Sequence, residues 1–230
     1  MSNSLDVLAR LSLIVPPRLV DLTLARSPGS LPADPAPSAS VILLRDGEIG
    51  LETYLMQRHA RMSFAASMVV FPGGRLDPVD GRQSDDDAIR PSDAIVHCAL
   101  RETVEETGVV LAADDLHPWA HWITPEAEPR RYDTQFFVAR MPADQQARDI
   151  SGETDDAAWW SPDTALQAER SGAMALMPPT LSILLELADH ASVADVLASA
   201  ENRVIECVLP ALVQTADGWR FSYPSPAEER

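Results

Sequence analysis

The chain has 230 residues, of which 46% are hydrophobic, and carries a net charge of −17. That length suits one domain with decorations, and the apolar share supplies a sizeable core. The acidic balance argues against a nucleic-acid surface, which needs a basic stripe, and against an anionic membrane surface. It does not exclude a phosphorylated small-molecule substrate, because divalent cations bridge acidic side chains and anionic ligands. Cys98 and Cys207 are the only cysteines, so no disulfide framework exists and a reducing, cytoplasmic setting is expected. No apolar run approaches the ~20 residues of a membrane span. The early Asp6 and the absence of a basic leader give no secretory signal, and Glu228-Glu229-Arg230 is no peroxisomal address.

In chain order, residues 3–14 have the spacing of a short amphipathic helix through Leu5, Val7, Leu8, Leu11 and Leu13. Residues 27–40 hold five Pro or Gly positions (Pro28, Gly29, Pro32, Pro35, Pro37) and read as an extended linker. Ser40–Arg45 reads as a buried strand, Asp46–Gly50 as a hairpin turn, and Leu51–Arg58 as the returning strand. Met68–Phe71 is a further apolar strand, ended by Pro72-Gly73-Gly74, where the backbone can approach a ligand closely. Residues 92–107 read as a helix, with Ser92 as N-cap and Gly108 as its stop. Strands are expected at 117–123, 132–141 and 157–160, and helices at 162–170, 178–190 and 192–200. Two short strands around Ala216-Asp217-Gly218 complete residues 203–223. The chain thus divides into an N-terminal helix and linker (1–37), a main domain (38–200) and a C-terminal extension (201–230).

The 92–107 helix carries the chemistry. Glu102, Glu105 and Glu106 stand at i, i+3 and i+4, so they share one face. Three carboxylates there repel one another and have the wrong sign for a helix C-terminus. A hard divalent cation, Mg²⁺ or Mn²⁺, offsets that repulsion and suits oxygen ligands. A solvated acidic face is the plainer reading of such a turn. The glycine turn that precedes this helix favours the metal.

Arg101-Glu102-Thr103-Val104-Glu105-Glu106-Thr107-Gly108-Val109, with Phe71-Pro72-Gly73-Gly74, resembles the Nudix hydrolase family, whose signature is G-x5-E-x7-R-E-U-x-E-E-x-G-U with U a bulky apolar residue. Thr103 stands where an aliphatic residue is usual. Asp80 follows Gly74 after five residues, where the pattern has Glu, and twenty residues separate it from Arg101 instead of seven. Asp93, eight residues before Arg101, is the other candidate for that acid. The resemblance implies an α/β/α sandwich with a mixed sheet, here with extra C-terminal helices. It implies Glu105, Glu106, Glu102 and the Gly73 carbonyl as metal ligands. Glu102 and Glu105 would serve the attacking water, and Arg101 would orient the glutamates. It also implies an acid outside the box, for which Glu153 is the candidate and Glu126 and Glu128 weaker ones. It leaves a homodimer open.

For substrate, Arg58 lies thirteen residues before Phe71. That spacing is similar to the L-L-T-x-R-(S/A)-x3-R-x3-G-x3-F-P-G-G motif of Nudix enzymes that cleave coenzyme A. His59, Ser63 and Ser67 depart from it. The long insertion, residues 129–137 and Trp159-Trp160-Ser161-Pro162 look like one branch of those enzymes. Arg58, Gly74 and Arg131 are therefore expected to meet substrate, although Arg131 and Arg130 have ion pairing as the plainer role. The expected reaction gives (acyl-)4′-phosphopantetheine and adenosine 3′,5′-bisphosphate from CoA or acyl-CoA. ADP-ribose or NADH hydrolysis is the alternative, and a non-catalytic nucleotide-binding regulator the contrasting class. The five histidines show no ligand spacing, and Cys98 is expected to be a small core residue.

Overall fold

The computed structural model describes residue 15 and residues 17–25, 31–61, 65–81, 93–152 and 154–223. The helix expected over 3–14, the Ser92 cap, most of the insertion and Glu153 lie outside them. The elements are α1 (Pro17–Ala25), β1 (Ala36–Gly47), β2 (Gly50–Arg58), β3 (Val69–Val70) and β4 (Gly73–Arg75), then a 3₁₀ turn (Pro78–Asp80) and α2 (Asp93–Thr107). There follow β5 (His117–Ile123), β6 (Tyr132–Arg140), β7 (Thr154–Trp160), α3 (Pro162–Arg170), α4 (Pro178–Leu187) and α5 (Val193–Ala200). β8 (Cys207–Val208), β9 (Ala211–Thr215) and β10 (Gly218–Ser222) close the chain.

Eight strands form one mixed sheet in the order β3-β2-β1-β6-β5-β8, with β4 also pairing β1 and β7 also pairing β2. β1 is its centre. Ser38 to Leu44 are all buried, and successive side chains enter opposite cores. Ile42 and Leu44 pack with Leu166, Ile183, Leu184, Leu187 and Val196 of the three C-terminal helices. Val41 and Leu43 pack with Ile95, Cys98 and Ala99 of α2. A strand covered on both faces reads as a continuous apolar run, which Val41-Ile42-Leu43-Leu44 is. The expected α/β/α sandwich with a mixed sheet and extra C-terminal helices is what the chain adopts.

β1 begins at Ala36, inside the residues read as linker. Pro37 joins through its carbonyl, which accepts the Leu76 N–H at 2.9 Å. β1 pairs β2 antiparallel at its C-terminal end (Leu44↔Thr53) and β4 at its N-terminal end (Ser40↔Gly73). β3 pairs β2 at Met56↔Val70. The strand expected over Met68–Phe71 is therefore only Val69–Val70, and the glycines beyond the Phe71-Pro72 corner form a second short strand instead of a turn. The segment Val69–Arg75 is wedged where β1 and β2 part, and it lies beneath α2.

The C-terminal residues join the same body. β8 adds to the sheet beside β5, in parallel (His121↔Cys207). Arg203 lies over the Trp119 ring, 4.1 Å from its centroid, and forms an ion pair with Glu186 of α4. Trp159 and Trp160 occupy opposite faces of β7. Trp159 meets Tyr54 edge-on at 5.3 Å and Arg45 at 4.3 Å, while Trp160 packs against the other core. Cys98 is fully buried, as expected of a core residue, and burial pushes its thiol up to about 12.

Candidate active site

α2 brings its acidic turn over β4 for steric reasons. A Cβ on Gly73 would lie within 3.0 Å of the Ala39 carbonyl oxygen and Ser40 Cα, so only glycine lets β4 approach β1 this closely. A Cβ on Gly74 would fall within 3.0 Å of the Glu102 carboxylate, which fills the space that side chain would take. Gly73 N–H donates to Glu106 Oε2 at 2.7 Å, and Glu106 is buried. The double glycine therefore seats two of the three glutamates.

Arg101 organises the rest. Its Nε and Nη2 form a fork onto Asp80 Oδ1 and Oδ2 at 2.9 and 2.8 Å. Its Nη1 donates to Glu102 Oε1 at 2.8 Å and Glu105 Oε2 at 3.0 Å, and Nη2 also reaches the Arg75 carbonyl at 3.0 Å. The guanidinium is planar with fixed donors, so it holds several carboxylates in one plane, which a lysine does not. Asp80 is buried and also accepts the Asp77 N–H at 2.8 Å in a capping box. Asp93, the other candidate acid, is exposed at the start of α2. Asp80 is thus the acid that pairs with Arg101, and the insertion between them leaves that pairing intact.

The charges follow from these contacts. Burial raises the Glu102 carboxyl, Arg101 offsets part of the rise, and the Glu105 and Asp80 carboxylates add to it. Burial also acts to raise Asp80, but the Arg101 and Asp77 hydrogen bonds outweigh it and hold the group below the usual carboxylate range. Asp80 therefore contributes stability above the unfolded carboxylate value of about 4, and loses it as pH falls through the lower folded value. Asp80→Asn should cost about 2–3 kcal/mol, less than a fully buried pair because Arg101 is partly exposed. It should also flatten the acid limb of stability against pH. Thermal melts from pH 3 to 7 check this, and an unchanged acid limb would remove Asp80 from the account.

The helix end is tied down by residues 148–151, a contact with α2 that the sequence did not announce. Gly108 takes φ 72° as the stop residue. The last-turn carbonyls of Glu106 and Thr107 accept Ile150 N–H at 3.1 Å and Arg148 N–H at 3.0 Å. Asp149 in that loop accepts Ser151 N–H at 3.0 Å and Ser151 Oγ at 2.8 Å, and it also binds Thr154 Oγ1. Thr103, the departure from an aliphatic residue, is buried and donates to the Ala99 carbonyl one turn back at 2.7 Å.

Among the described residues no three His, Cys, Asp or Glu side chains converge as a metal site in this conformation. Glu102 and Glu105 are turned onto Arg101 and Glu106 onto Gly73. The donor set nevertheless fits a hard divalent cation. Three carboxylates lie on one helix face, and burial already disfavours the charge on Glu102.

The expected substrate residues part company. Arg58 ends β2 opposite Thr154 of β7, and its Nε is buried with no hydrogen-bond partner. The loop after it bends back through left-handed Ala65 and Ser67, at φ 51° and 61°. Ser67 thus takes the conformation for which glycine is the unstrained residue at that motif position. Arg131 is buried, and its Nε and Nη1 donate to the carbonyls of Thr124 at 3.0 Å and Ala33 at 2.7 Å. Its role is to pin the linker to the β5–β6 turn, so the expected substrate contact is corrected. Glu128 pairs with Arg18 of α1 at 3.2 Å. No helix among the described residues is long and apolar enough to cross a membrane.

Comparison with known proteins agrees with this fold. Acyl-coenzyme A diphosphatase NUDT19 of Homo sapiens is 29% identical over 154 residues, covering 64% of this chain and 40% of that protein. The Xenopus laevis protein of that name is 30% identical over 116 residues, covering 47% of this chain and 30% of that protein. The chain thus spans less than half the length of either relative. The crystal structure of a NUDIX hydrolase from Alicyclobacillus acidocaldarius superposes with a TM-score of 0.64 at 24% identity, over 76% of this chain and 99% of that one, and shares the fold. The NUDIX domain family model matches residues 34–178, which hold β1 to β7 and α2, and the chain belongs to that family.

Proposed function

We propose that the protein is a Mg²⁺- or Mn²⁺-dependent diphosphate hydrolase acting on CoA or acyl-CoA, yielding (acyl-)4′-phosphopantetheine and adenosine 3′,5′-bisphosphate. The observation that carries this reading is the acidic turn of α2 seated on Gly73-Gly74 and gathered by Arg101. Glu102, Glu105 and Glu106, with the Gly73 carbonyl, would hold the cation. When bound, the cation offsets the diphosphate charge and makes water a better nucleophile at neutral pH. Glu102 is the residue suited to take the water's proton, since burial has raised its carboxyl. Glu105 is the more exposed carboxylate. Arg101 holds both in place and stays protonated throughout. Glu153 remains our candidate for an acid outside the box. Its chain neighbour Thr154 pairs with Arg58 across β7 and β2, which supports that reading.

Arg58 supports the coenzyme A reading. A buried guanidinium nitrogen without a partner is costly, and a phosphate oxygen satisfies it. Arg58→Met should raise KM for CoA by about 10–100-fold, the range of one charge-assisted hydrogen bond, with a smaller effect on kcat. Steady-state kinetics check it, and an unchanged KM would take Arg58 out of the substrate site. The relatives named acyl-coenzyme A diphosphatase support the same substrate class, and Cys98 and Cys207, both unpaired, support a reducing cytoplasmic setting. The reading is tested by a panel of CoA, acetyl-CoA, ADP-ribose and NADH at equal concentration, with Mg²⁺, with Mn²⁺ and with EDTA. Turnover of the CoA pair that EDTA abolishes is expected. Preferential cleavage of ADP-ribose or NADH would replace the substrate, and turnover in EDTA would remove the metal.

A further inference from the structure

A second cluster of reactive groups lies away from α2, at the opposite side of the sheet. β6 and β5 separate β1 from β8. There the register sets Cys207 of β8 directly against His121 of β5. Asp133 of β6 stands diagonal to His121, two positions from its direct partner Gln135, so all three side chains meet on one face. His121 Nε2 bonds Asp133 Oδ1 at 2.5 Å, and the ring interacts with the Cys207 side chain as well. His121 is nearly buried, with a side chain 11% exposed, whereas Cys207 is half-buried.

We propose that Cys207, served by His121 and Asp133, is a reactive thiol that exchanges with small disulfides. The arrangement is a nucleophile, an acid–base group and a carboxylate that orients it. Asp133 takes one ring nitrogen, which leaves Nδ1 for the sulfur. Burial works against charge on His121, but the Asp133 and Cys207 contacts outweigh it and raise the imidazole to about 9. In the exchange, Cys207 Sγ attacks one sulfur of the disulfide. Cys207 reacts as the thiolate with its proton given up to water, a new S–S bond forms, the old one breaks, and the departing sulfur takes a proton from the His121 imidazolium, which regains one from water. The product is a mixed disulfide on the partly exposed Cys207. Cys98, the other cysteine, sits fully buried in the core beside α2 and offers no resolving thiol.

The test uses the full chain at pH 7 with two probes, iodoacetamide and glutathione disulfide, and peptide mass mapping. Cys207 should alkylate about ten times faster than N-acetylcysteine, while Cys98 stays unmodified. Glutathione disulfide should add one glutathione per chain, lost in Cys207→Ser. His121→Gln and Asp133→Asn, checked for fold by circular dichroism, should each slow Cys207 alkylation about five-fold or more. Two results would overturn the proposal. One is a wild-type rate no higher than that of N-acetylcysteine, which decides without either variant. The other is a fast Cys207 that both folded variants leave unchanged.

Discussion

Glu106→Gln is expected to lower kcat by about 10²–10³-fold while the fold survives, the size of effect seen when one charge-stabilising group is lost from an active site. The substitution removes a negative charge and keeps the side-chain length. The Gln carbonyl oxygen can still accept the Gly73 N–H that Glu106 Oε2 now accepts at 2.7 Å. The link between α2 and β4 therefore remains, and what is lost is a ligand charge. Melting temperature should move by only a few degrees, since one charged acceptor is exchanged for a neutral one. Raising the Mg²⁺ or Mn²⁺ concentration should recover only a small part of the rate, because the missing charge serves the bound cation's placement and chemistry and not its occupancy alone. Near-normal turnover in the variant at saturating cation would show that the acidic turn is not where the cation acts.

Gly74→Ala and Gly73→Ala should fail in different ways, and the difference tests the geometry of the site. At Gly74 the new methyl meets the far end of the Glu102 side chain, which can swing aside at little cost to stability. The carboxylate then leaves its place, and displacement by about 1 Å costs up to ~10²-fold in rate. At Gly73 the methyl meets the Ala39 carbonyl oxygen and Ser40 Cα, which are backbone and cannot give way alone. Overpacking and backbone strain together should cost about 3 kcal/mol or more. For a chain of this size that lowers the melting temperature by roughly 6–12 °C. Activity of whatever folds is secondary there. Equal melting temperatures with equal activity in both variants would contradict the seating of α2 on β4.

Much of this site was legible in the sequence because it depends on short spacings. Glu102, Glu105 and Glu106 share a helix face by period alone, and Gly73-Gly74 after an apolar run announces a close backbone approach. Asp80 was not separable from Asp93, because the insertion breaks the family's register. What decides it is a tertiary contact, the Arg101 fork, which sequence spacing does not carry. Arg131 read as a substrate contact or an ion pair since its partners are backbone carbonyls, Thr124 and Ala33, which have no signature in side-chain chemistry. β4 went unread because three residues with two glycines have no apolar alternation to display. The start of β1 was hidden by Pro35 and Pro37, which read as linker, although Pro37 needs only its carbonyl there. The His121–Asp133–Cys207 cluster draws on three strands, so no local pattern could have announced it.

The central claim is that water attacks a diphosphate linkage at the acidic turn of α2. The most direct measurement is turnover of CoA with Mg²⁺ or Mn²⁺ in ¹⁸O-labelled water, with products resolved by mass. The account predicts adenosine 3′,5′-bisphosphate and 4′-phosphopantetheine, one of the two carrying a single ¹⁸O. Release of inorganic phosphate with dephospho-CoA, or no ¹⁸O in either product, would contradict it.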